Sequence, residues 1–520
     1  MNPNRAALLQ DLAQRYGRKA ALVDYGGGRR ALSFQELEER TARLAAGLRA
    51  RGLQAGQKAL IFVPMSLELY VLLLACWRAG LCVVFVDAWA DRKRLDAAVA
   101  TAQPDAFFGS WKAQVLRLLS PAIRSIPQKF VIGRDWSPLK RLEAQPGMGA
   151  HPVREDDAAL ITFTTGSTGK PKAAVRSHGF LAAQHAALLG AFGADERDVN
   201  LVGLPVLALL DIGCGRTSVL PDFDPRKPAD IVPEKIWTQI VGEPCSSSVG
   251  SPAFYERLAD WCIATGKRLP LKHIYTGGAA VPPALARKLA LACEGDVQVV
   301  YGSTEAEPIS HVGALALADA CEGREDQGLL AGKPAGIDLK IMRPVEGPVE
   351  LGPQGWAAWE QPQGQSGEVV VAGAHVNRSY LNDPEAVRQA KISDGDKVWH
   401  RTGDAAWLDA EGRLWLMGRV NERVERGGAT YWPQQVEARL RRVAGVRFSA
   451  YLSWGPATQR RAALVVEADA VSGLAERLRA AAEAPVDDLL ILPQVARDPR
   501  HASKADFQAL KQRLEALAHA

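Results

Sequence analysis

A twenty-residue apolar run near the start of the chain limits the folds it can adopt. The run, LELYVLLLACWRAGLCVVFV (67–86), has about the length that spans a bilayer. However, Glu68, Arg78 and Gly80 interrupt it, and its β-branched run comes only after Gly80. We therefore predict a buried helix ending at Gly80 and then a buried strand, with no membrane span. Together with the strand-like ALIFV (59–63), this segment reads as a β-α-β unit.

The whole chain reads as two domains. With 520 residues it is too long for one ordinary core. Helix and strand signals alternate over the first four hundred residues, as in α/β proteins. Charged residues then become more frequent in RVNERVERGG (419–428), and amphipathic helices are predicted at 433–443, 471–484 and 503–518. We predict a large α/β domain over 1–417 and a small α+β domain over 418–520.

Composition narrows the class of protein. Apolar residues make up 47% and charged residues 23%, which is typical of a globular chain. The net charge of +5 does not indicate a nucleic-acid partner. Seven scattered cysteines, without a CxxC pair, indicate reduced thiols in a cytoplasmic protein. The first residues lack the apolar core of a signal peptide.

The stretch FTTGSTGKPKAAVRSH (163–178) is the clearest candidate for a ligand site. It combines small hydroxyls, free backbone N–H groups and two ammonium groups between an apolar run (159–163) and a helix-like segment (179–192). Consecutive N–H groups in such a loop form a nest for phosphate oxygens, and lysine adds charge. A flexible linker is the alternative interpretation. The common Walker loop is excluded, because only two residues separate Gly166 from Gly169.

Five motifs, in order along nearly the whole chain, resemble those of the adenylate-forming superfamily, which comprises acyl-CoA synthetases, luciferases and adenylation domains. They are TTGSTGKPK (164–172), YGSTE (301–305), TGD (402–404), GR (418–419) and SK (503–504). The resemblance implies a large domain that binds ATP and an acid, with a small mobile domain that closes over it. It also implies a reaction in which a carboxylate and ATP give an acyl-adenylate and pyrophosphate.

The resemblance assigns nucleotide-binding roles to named residues. Those of the phosphate loop, which would hold the β- and γ-phosphates, are Thr164, Thr165, Gly166, Ser167, Thr168, Gly169 and Lys172. Those around the adenine are Gly277, Gly278, Ala279, Tyr301, Gly302, Ser303 and Thr304. Asp404 would accept the ribose hydroxyls, and Arg419 would reach the ribose or a phosphate.

The same resemblance assigns the catalytic roles. Glu305 would hold Mg²⁺, a cation that prefers oxygen ligands. Lys504 would bridge the carboxylate and the α-phosphate when the small domain closes, and Thr165 would assist from the phosphate loop. Each of these residues also has a plain structural interpretation: Asp404 could cap a turn, Glu305 could be a helix N-terminal acid, and Lys504 could be an exposed lysine.

Departures from the common pattern point to one branch. In the hinge segment around the GR motif (418–419), Asn421 and Glu425 stand where acyl-CoA ligases have other residues that carry a charge. Ala208 stands where many of these ligases have an aromatic residue or histidine. Four stretches, 208–229, 250–258, 390–404 and 498–504, resemble the β-lactone synthetases of bacterial olefin pathways. That resemblance implies a long-chain β-hydroxy acid whose own 3-hydroxyl attacks the adenylate, releasing AMP without CoA.

Two alternatives remain open at this point: an acyl-CoA or carrier-loading ligase, and a non-catalytic ATP- or acyl-binding relative. If the 3-hydroxyl is the nucleophile, His501 is a candidate base, although a histidine in a surface turn is the plainer interpretation. VLALL (206–210) could line an acyl tunnel or could be an ordinary buried element. The resemblance further suggests contacts with other enzymes of a lipid pathway.

Overall fold

The computed structural model describes residues 2–86, 92–133, 137–165, 171–193, 195–456, 459–469, 471–498 and 501–518. Its helices are α1 (Leu8–Tyr16), α2 (Phe34–Ala50), α3 (Leu67–Arg78), α4 (Arg92–Ala102), α5 (Leu116–Leu119), α6 (Pro121–Ser125), α7 (Ser137–Leu142), α8 (His178–Phe192), α9 (Leu207–Gly213), α10 (Pro233–Gly242), α11 (Pro252–Thr265), α12 (Pro283–Ala292), α13 (Ala314–Cys321), α14 (Pro384–Ala390), α15 (Pro433–Leu440), α16 (Leu474–Ala482) and α17 (Phe507–Ala518).

The strands before residue 420 are β1 (Ala20–Asp24), β2 (Arg30–Ser33), β3 (Lys58–Phe62), β4 (Cys82–Phe85), β5 (Ala106–Ser110), β6 (Gln128–Ile132), β7 (Ala158–Thr165), β8 (Pro171–Ser177), β9 (Val199–Val202), β10 (Thr217–Leu220), β11 (Ser247–Gly250), β12 (His273–Gly277), β13 (Asp296–Ser303), β14 (Ala306–Gly313), β15 (Leu329–Pro334), β16 (Asp338–Met342), β17 (Gly367–Ala372), β18 (Lys391–Asp394), β19 (Lys397–Leu408) and β20 (Leu414–Arg419). The later strands are β21 (Val424–Arg426), β22 (Ala429–Tyr431), β23 (Phe448–Trp454), β24 (Arg461–Glu467), β25 (Asp488–Leu492), β26 (Arg497–Asp498) and β27 (His501–Ala505).

The predicted β-α-β unit is confirmed. Strands β3 and β4 are parallel neighbours joined by α3, which is buried along its whole length. The charged residues that interrupt the apolar run are paired: Glu68 accepts from Arg30 at 2.5 Å, and Arg78 donates to the Met148 carbonyl at 3.0 Å. Burial of both is tolerated because each has a partner. Within the described ranges no helix is long and apolar enough to cross a membrane.

The strands of the first 419 residues form two large sheets. One has six strands in the order β6-β5-β3-β4-β7-β8, and β7 and β8 form an antiparallel pair around the predicted phosphate loop. The other has fourteen, with β12 and β13 parallel at its centre and the β13–β14 and β19–β20 pairs antiparallel. Helices cover these sheets, as the alternating sequence signals predicted. The mixed α/β class is thereby confirmed.

The elements after Arg419 form smaller units. They comprise a three-stranded sheet, β23-β24-β25, and two short hairpins, with α15, α16 and α17 packed around them. The division into domains at 417–418 stays a prediction. One helix differs from expectation: residues 503–505 belong to strand β27, and α17 begins only at Phe507. Pairing of β27 with β26 competes successfully with helix propensity there.

Six of the cysteines and two of the tryptophans lie in or against the core. All seven cysteines are free, and six of them are buried. Trp237 and Trp261 are half-buried and pack together against one core cluster, with ring centroids 6.2 Å apart. Trp89 lies outside the described residues.

A buried glutamate makes the stability of the small C-terminal region depend on pH. Glu437 of α15 accepts a hydrogen bond from the Tyr451 backbone N–H at 3.0 Å. Burial raises the pKa of its carboxyl from 4.5 to about 7. A raised carboxyl pKa favours the folded state only while the group is protonated, so this advantage is lost as pH rises from about 4.5 to 7.

We expect Glu437→Gln to remove this loss, because the amide stays neutral and keeps an acceptor for Tyr451. Relative to the unmodified protein, the variant should gain unfolding free energy between pH 4.5 and 7 and hold that gain above pH 7. Urea denaturation across this range measures it. Glu515→Gln, which alters an exposed residue of α17, controls for loss of one charge. Parallel pH curves for Glu437→Gln and the parent would contradict the prediction.

Candidate active site

The predicted phosphate loop lies between two paired strands. β7 ends at Thr165, β8 begins at Pro171, and the register places Thr164 opposite Lys172. Lys172 is half-buried, with Nζ 5.5 Å from the centre of the Tyr380 ring. Four predicted loop residues lie outside the described residues: Gly166, Ser167, Thr168 and Gly169. Lys172 thus lies next to Tyr380, which contacts Glu305 as described below.

Three predicted nucleotide-binding residues from distant parts of the sequence meet in one cluster. The Tyr301 hydroxyl donates to Asp404 Oδ2 at 2.8 Å, and Arg419 Nη1 donates to Asp404 Oδ1 at 3.0 Å. The β19–β20 register sets Asp404 opposite Arg419, and β13 brings in Tyr301. Burial, and then the charge of Asp404, raises the pKa of the Tyr301 phenol. The phenol is therefore neutral and remains a donor.

The segment after β12 lies beside this cluster. In the parallel β12–β13 pair, Gly277 is opposite Val300, the neighbour of Tyr301. A Cβ on Gly277 would lie 2.4 Å from the Val300 carbonyl oxygen, so only glycine allows the two backbones to approach this closely. Gly278 follows with φ of +78°, a conformation that favours glycine, and Ala279 is half-buried. The segment 277–279 therefore lies beside Tyr301, and we call this part of the site the slot.

The third predicted group surrounds Glu305. This carboxylate is 9% exposed and accepts a hydrogen bond from the Tyr380 hydroxyl at 2.9 Å. Lys391 and His400 are buried nearby, and Lys391 Nζ lies 5.2 Å from the centre of the Tyr380 ring. Burial alone would raise the pKa of the Glu305 carboxyl, but His400, Lys391 and the Tyr380 hydrogen bond bring it below its usual value. Glu305 is therefore ionised at neutral pH.

An ionised, largely buried carboxylate fits a magnesium ion. No group of three metal-ligating side chains occurs in the described part of the chain. This fits Mg²⁺ at a phosphate site, since that ion commonly takes one or two carboxylates and completes its shell with phosphate oxygens and water. Bound there, Mg²⁺ would neutralise charge on the transferred nucleotide. Glu305 is the residue of this structure that would hold it.

Sequence reasoning missed most of the residues around Glu305. Tyr380 and Asn377 lie in an irregular segment, and the Asn377 N–H donates to the Glu305 carbonyl at 2.6 Å. Burial lowers the pKa of Lys391 to about 7, with Glu305 opposing that change. Nothing in their sequence spacing indicates that these side chains converge. The one available signal was the resemblance of the stretch 390–404, which contains Lys391 and His400, to the β-lactone synthetases.

An apolar cavity of about 60 Å³ lies between α1, α3, α8 and α9, room for several water-sized groups. Its apolar lining includes Leu8, Leu9, Leu12, Leu74, Trp77, Leu181, Leu188, Val206, Leu207, Leu209, Leu210 and Ile212. The predicted tunnel wall at 206–210 therefore includes the start of α9 and does border a cavity. Its polar members are Arg5, Gln184 and His185, with Arg5 Nη2 donating to His185 Nδ1 at 2.6 Å.

The two residues predicted near the C-terminal end, His501 and Lys504, belong to β27, whose backbone passes beside α11. Their side chains lie outside what the structure describes. Their catalytic roles remain predictions.

Comparison with known proteins identifies the family. The profile of the AMP-binding enzyme family matches residues 9–381. The chain belongs to that family. It is 33% identical over 512 residues, 92% of this chain and 90% of the relative, to an olefin beta-lactone synthetase of Stenotrophomonas maltophilia. It is 30% identical to a feruloyl-CoA synthase of an Amycolatopsis species, with 86% of each chain covered.

The fold comparison agrees with this assignment. The ATP-bound structure of MatB from Rhodopseudomonas palustris superposes with a TM-score of 0.81 over 99% of this chain and 100% of that one, at 22% identity. The predicted resemblance to adenylate-forming enzymes is thereby confirmed, and the chain is an adenylate-forming enzyme. The branch resemblance to olefin β-lactone synthetases is also borne out by the relatives.

We expect Gly277→Ala to damage this adenylate-forming site, because its Cβ must displace the Val300 carbonyl. Overpacking of this kind costs about 1–3 kcal/mol of unfolding free energy, and separation of β12 from β13 should also weaken ATP binding. Chemical denaturation and titration calorimetry with ATP measure the two effects. Gly352→Ala is the matched control, since nothing lies within 4 Å of its Cβ position. Equal ATP affinity in both variants would show that the slot does not hold the nucleotide.

Proposed function

We propose that this enzyme uses ATP and Mg²⁺ to convert a 3-hydroxy acid with an apolar chain into its acyl-adenylate, and that the 3-hydroxyl then closes a β-lactone. In the second step the hydroxyl oxygen forms a bond to the acyl carbon. The bond from that carbon to the AMP oxygen breaks, and the hydroxyl proton is released. The products are the β-lactone and AMP, without participation of CoA.

The observation that carries this proposal is the similarity, over 92% of this chain, to a protein named olefin beta-lactone synthetase. A second protein of that name, from Xanthomonas campestris, is 34% identical over 84% of this chain. The hinge supports the same branch. Asn421 is exposed just after β20, and Glu425 is exposed on β21, where it accepts from Arg423 at 2.7 Å. Asn421 thus stands where the ligase pattern has aspartate or lysine, and Glu425 stands where it has lysine.

Different residues of the site would hold different parts of ATP. Tyr301, Asp404 and Arg419 would hold the adenosine, and Lys172 and the loop 164–170 would hold the phosphates. Glu305 would place Mg²⁺ beside them. Because Tyr301, Asp404 and Arg419 already contact one another, catalysis would come mainly from positioning and charge stabilisation. Lys504 would join the site only when the small domain closes.

The cavity supports an acid with an apolar chain. Gln184 borders it and also contacts Glu307, five residues after Gly302 of the adenine motif. An acid whose carboxylate lies at the nucleotide can therefore extend its chain toward α9. Arg5 and His185 would lie at the polar part of the wall. Burial and then Arg5 lower the pKa of His185 to about 4, so its imidazole is neutral and accepts from Arg5.

A second candidate is an acyl-CoA ligase, favoured by the 30% identity to a feruloyl-CoA synthase. It would form the same adenylate and then a thioester. We further propose that the protein works in the cytoplasm, with enzymes that consume or supply lipid-like acids. The non-catalytic alternative is set aside, because the chain is an adenylate-forming enzyme.

Mass spectrometry of the products separates the two reactions. The purified protein is incubated with ATP, Mg²⁺ and a long-chain 2-alkyl-3-hydroxy acid, with and without CoA. We expect AMP and a product one water lighter than the acid, in equal amounts in both tubes. A thioester that forms only with CoA would assign the enzyme to the ligases instead.

The cavity assignment is tested by filling it. We expect Leu209→Trp to raise KM for an acid with a long apolar chain by about tenfold or more, since the indole would occupy the space lined by α9. KM for ATP should stay unchanged. The control is Leu315→Trp, at an exposed position on α13. An unchanged KM for the acid would place the chain elsewhere.

A further inference from the structure

A carboxylate between the cavity and the nucleotide motif has no role in the site described so far. Glu307 lies on β14 and is half-buried. On one side it accepts a hydrogen bond from Gln184 Nε2, which borders the cavity. On the other side it lies against Gly302, whose Cβ position is 3.2 Å from Glu307 Cβ and Cγ. It therefore stands where a chain entering from the cavity would meet the nucleotide.

The hydrogen bonding of this carboxylate is incomplete. Among the described residues its one hydrogen bond is the Gln184 contact, which at 3.4 Å is long. Burial raises the pKa of the Glu307 carboxyl, and the charge of Arg176 opposes that rise. In its ionised form the carboxylate has about four lone-pair positions for donors. A half-buried acceptor with so few protein donors gains free energy when another donor is supplied. The position thus calls for a donor that comes with the substrate.

A plainer explanation is that Glu307 is present only to neutralise the charge of Arg176. The contacts of Arg176 show that this explanation is incomplete. Arg176 is 5% exposed, and its Nη2 donates to the Thr304 carbonyl at 2.8 Å. No ion pair within 4 Å joins Arg176 and Glu307 among the residues that the structure describes. The guanidinium thus supplies favourable charge at longer range and leaves the carboxylate oxygens open to a donor.

We propose that Glu307 accepts a hydrogen bond from the 3-hydroxyl of the acid and so selects hydroxylated acids. This inference rests on the proposed function. The third carbon is two bonds from the carboxylate carbon, at the point where the chain leaves the nucleotide for the cavity. Gln184 holds the Glu307 carboxylate from the cavity side. A hydroxyl fixed there is also kept close to the acyl carbon that it attacks, which favours ring closure.

The test compares two acids of equal chain length, one with and one without the 3-hydroxyl, in the adenylation half-reaction. ATP–pyrophosphate exchange gives kcat/KM for each acid. A hydrogen bond to a charged acceptor predicts that the unmodified enzyme prefers the hydroxy acid by about 10- to 100-fold. Glu307→Leu should reduce the ratio to about one, and Glu307→Gln, which keeps a neutral acceptor, should give an intermediate ratio.

Matched variants keep the result interpretable. Gln184→Leu should lower the ratio in part, because it removes the donor that orients Glu307. Glu256→Leu, at an exposed position on α11, should leave the ratio unchanged. The ratio is internal to each variant, so a general loss of folded protein cancels. If Glu307→Leu does not fold, the Gln variant and Gln184→Leu still decide the matter.

The inference is overturned if the unmodified enzyme shows no preference, or if Glu307→Leu loses activity equally toward both acids and so leaves the ratio unchanged. A shift in the Mg²⁺ requirement of Glu307→Gln would also overturn it, since the carboxylate would then belong to the metal site. Failure of the proposed function gives a different result. The ATP–pyrophosphate exchange measures formation of the adenylate, which precedes the second step. An enzyme that then forms a thioester and no lactone would still show the preference for the hydroxy acid.

Discussion

The buried carboxylate of Glu305 joins chain segments that the rest of the site depends on. Its side chain receives the Tyr380 hydroxyl, and its backbone carbonyl receives the Asn377 N–H. Lys391 Nζ donates to the Asn377 carbonyl, and His400 is buried beside the group. An unpaired buried charge would be costly, so these partners stabilise the loop before α14, β18 and β19 against β14. The phosphate hairpin, through Lys172 over Tyr380, meets the same cluster.

A fixed frame of this kind explains how one site serves reactions that differ only in their second step. The groups placed for the nucleotide come from strands of a large sheet, where the backbone register sets their spacing. Such groups need little rearrangement to stabilise charge on the adenylate. We propose that the fate of the adenylate depends on other parts of the molecule: the hinge after β20, and the region between Glu307 and the cavity. In this chain the hinge carries Asn421 in place of the usual aspartate or lysine, and Glu425 in place of the usual lysine.

Polar residues in the acyl region are consistent with a substrate that is not purely apolar near its carboxylate. The cavity is apolar along α1, α3 and α9, but Gln184 borders it and contacts Glu307. Buried polar groups need partners, and a hydroxylated acid supplies one where a plain fatty acid does not. Arg5 and His185 satisfy each other at another part of the wall. Selectivity would then come from one hydroxyl, and affinity from the chain.

The sequence by itself determined the family motifs, the α/β class and the buried β-α-β unit, because these depend on local patterns such as the run 67–86 and the order of the motifs. It also indicated Tyr301, Asp404 and Arg419, although their assembly into one cluster required the strand register. Only the tertiary structure decided the partners of Glu305 and the position of Glu307 beside Gln184. These contacts join residues that are 75 and 123 positions apart, through irregular segments whose course local sequence does not specify. The strand at 501–505 was decided in the same way, by a pairing partner that outweighed the helical pattern.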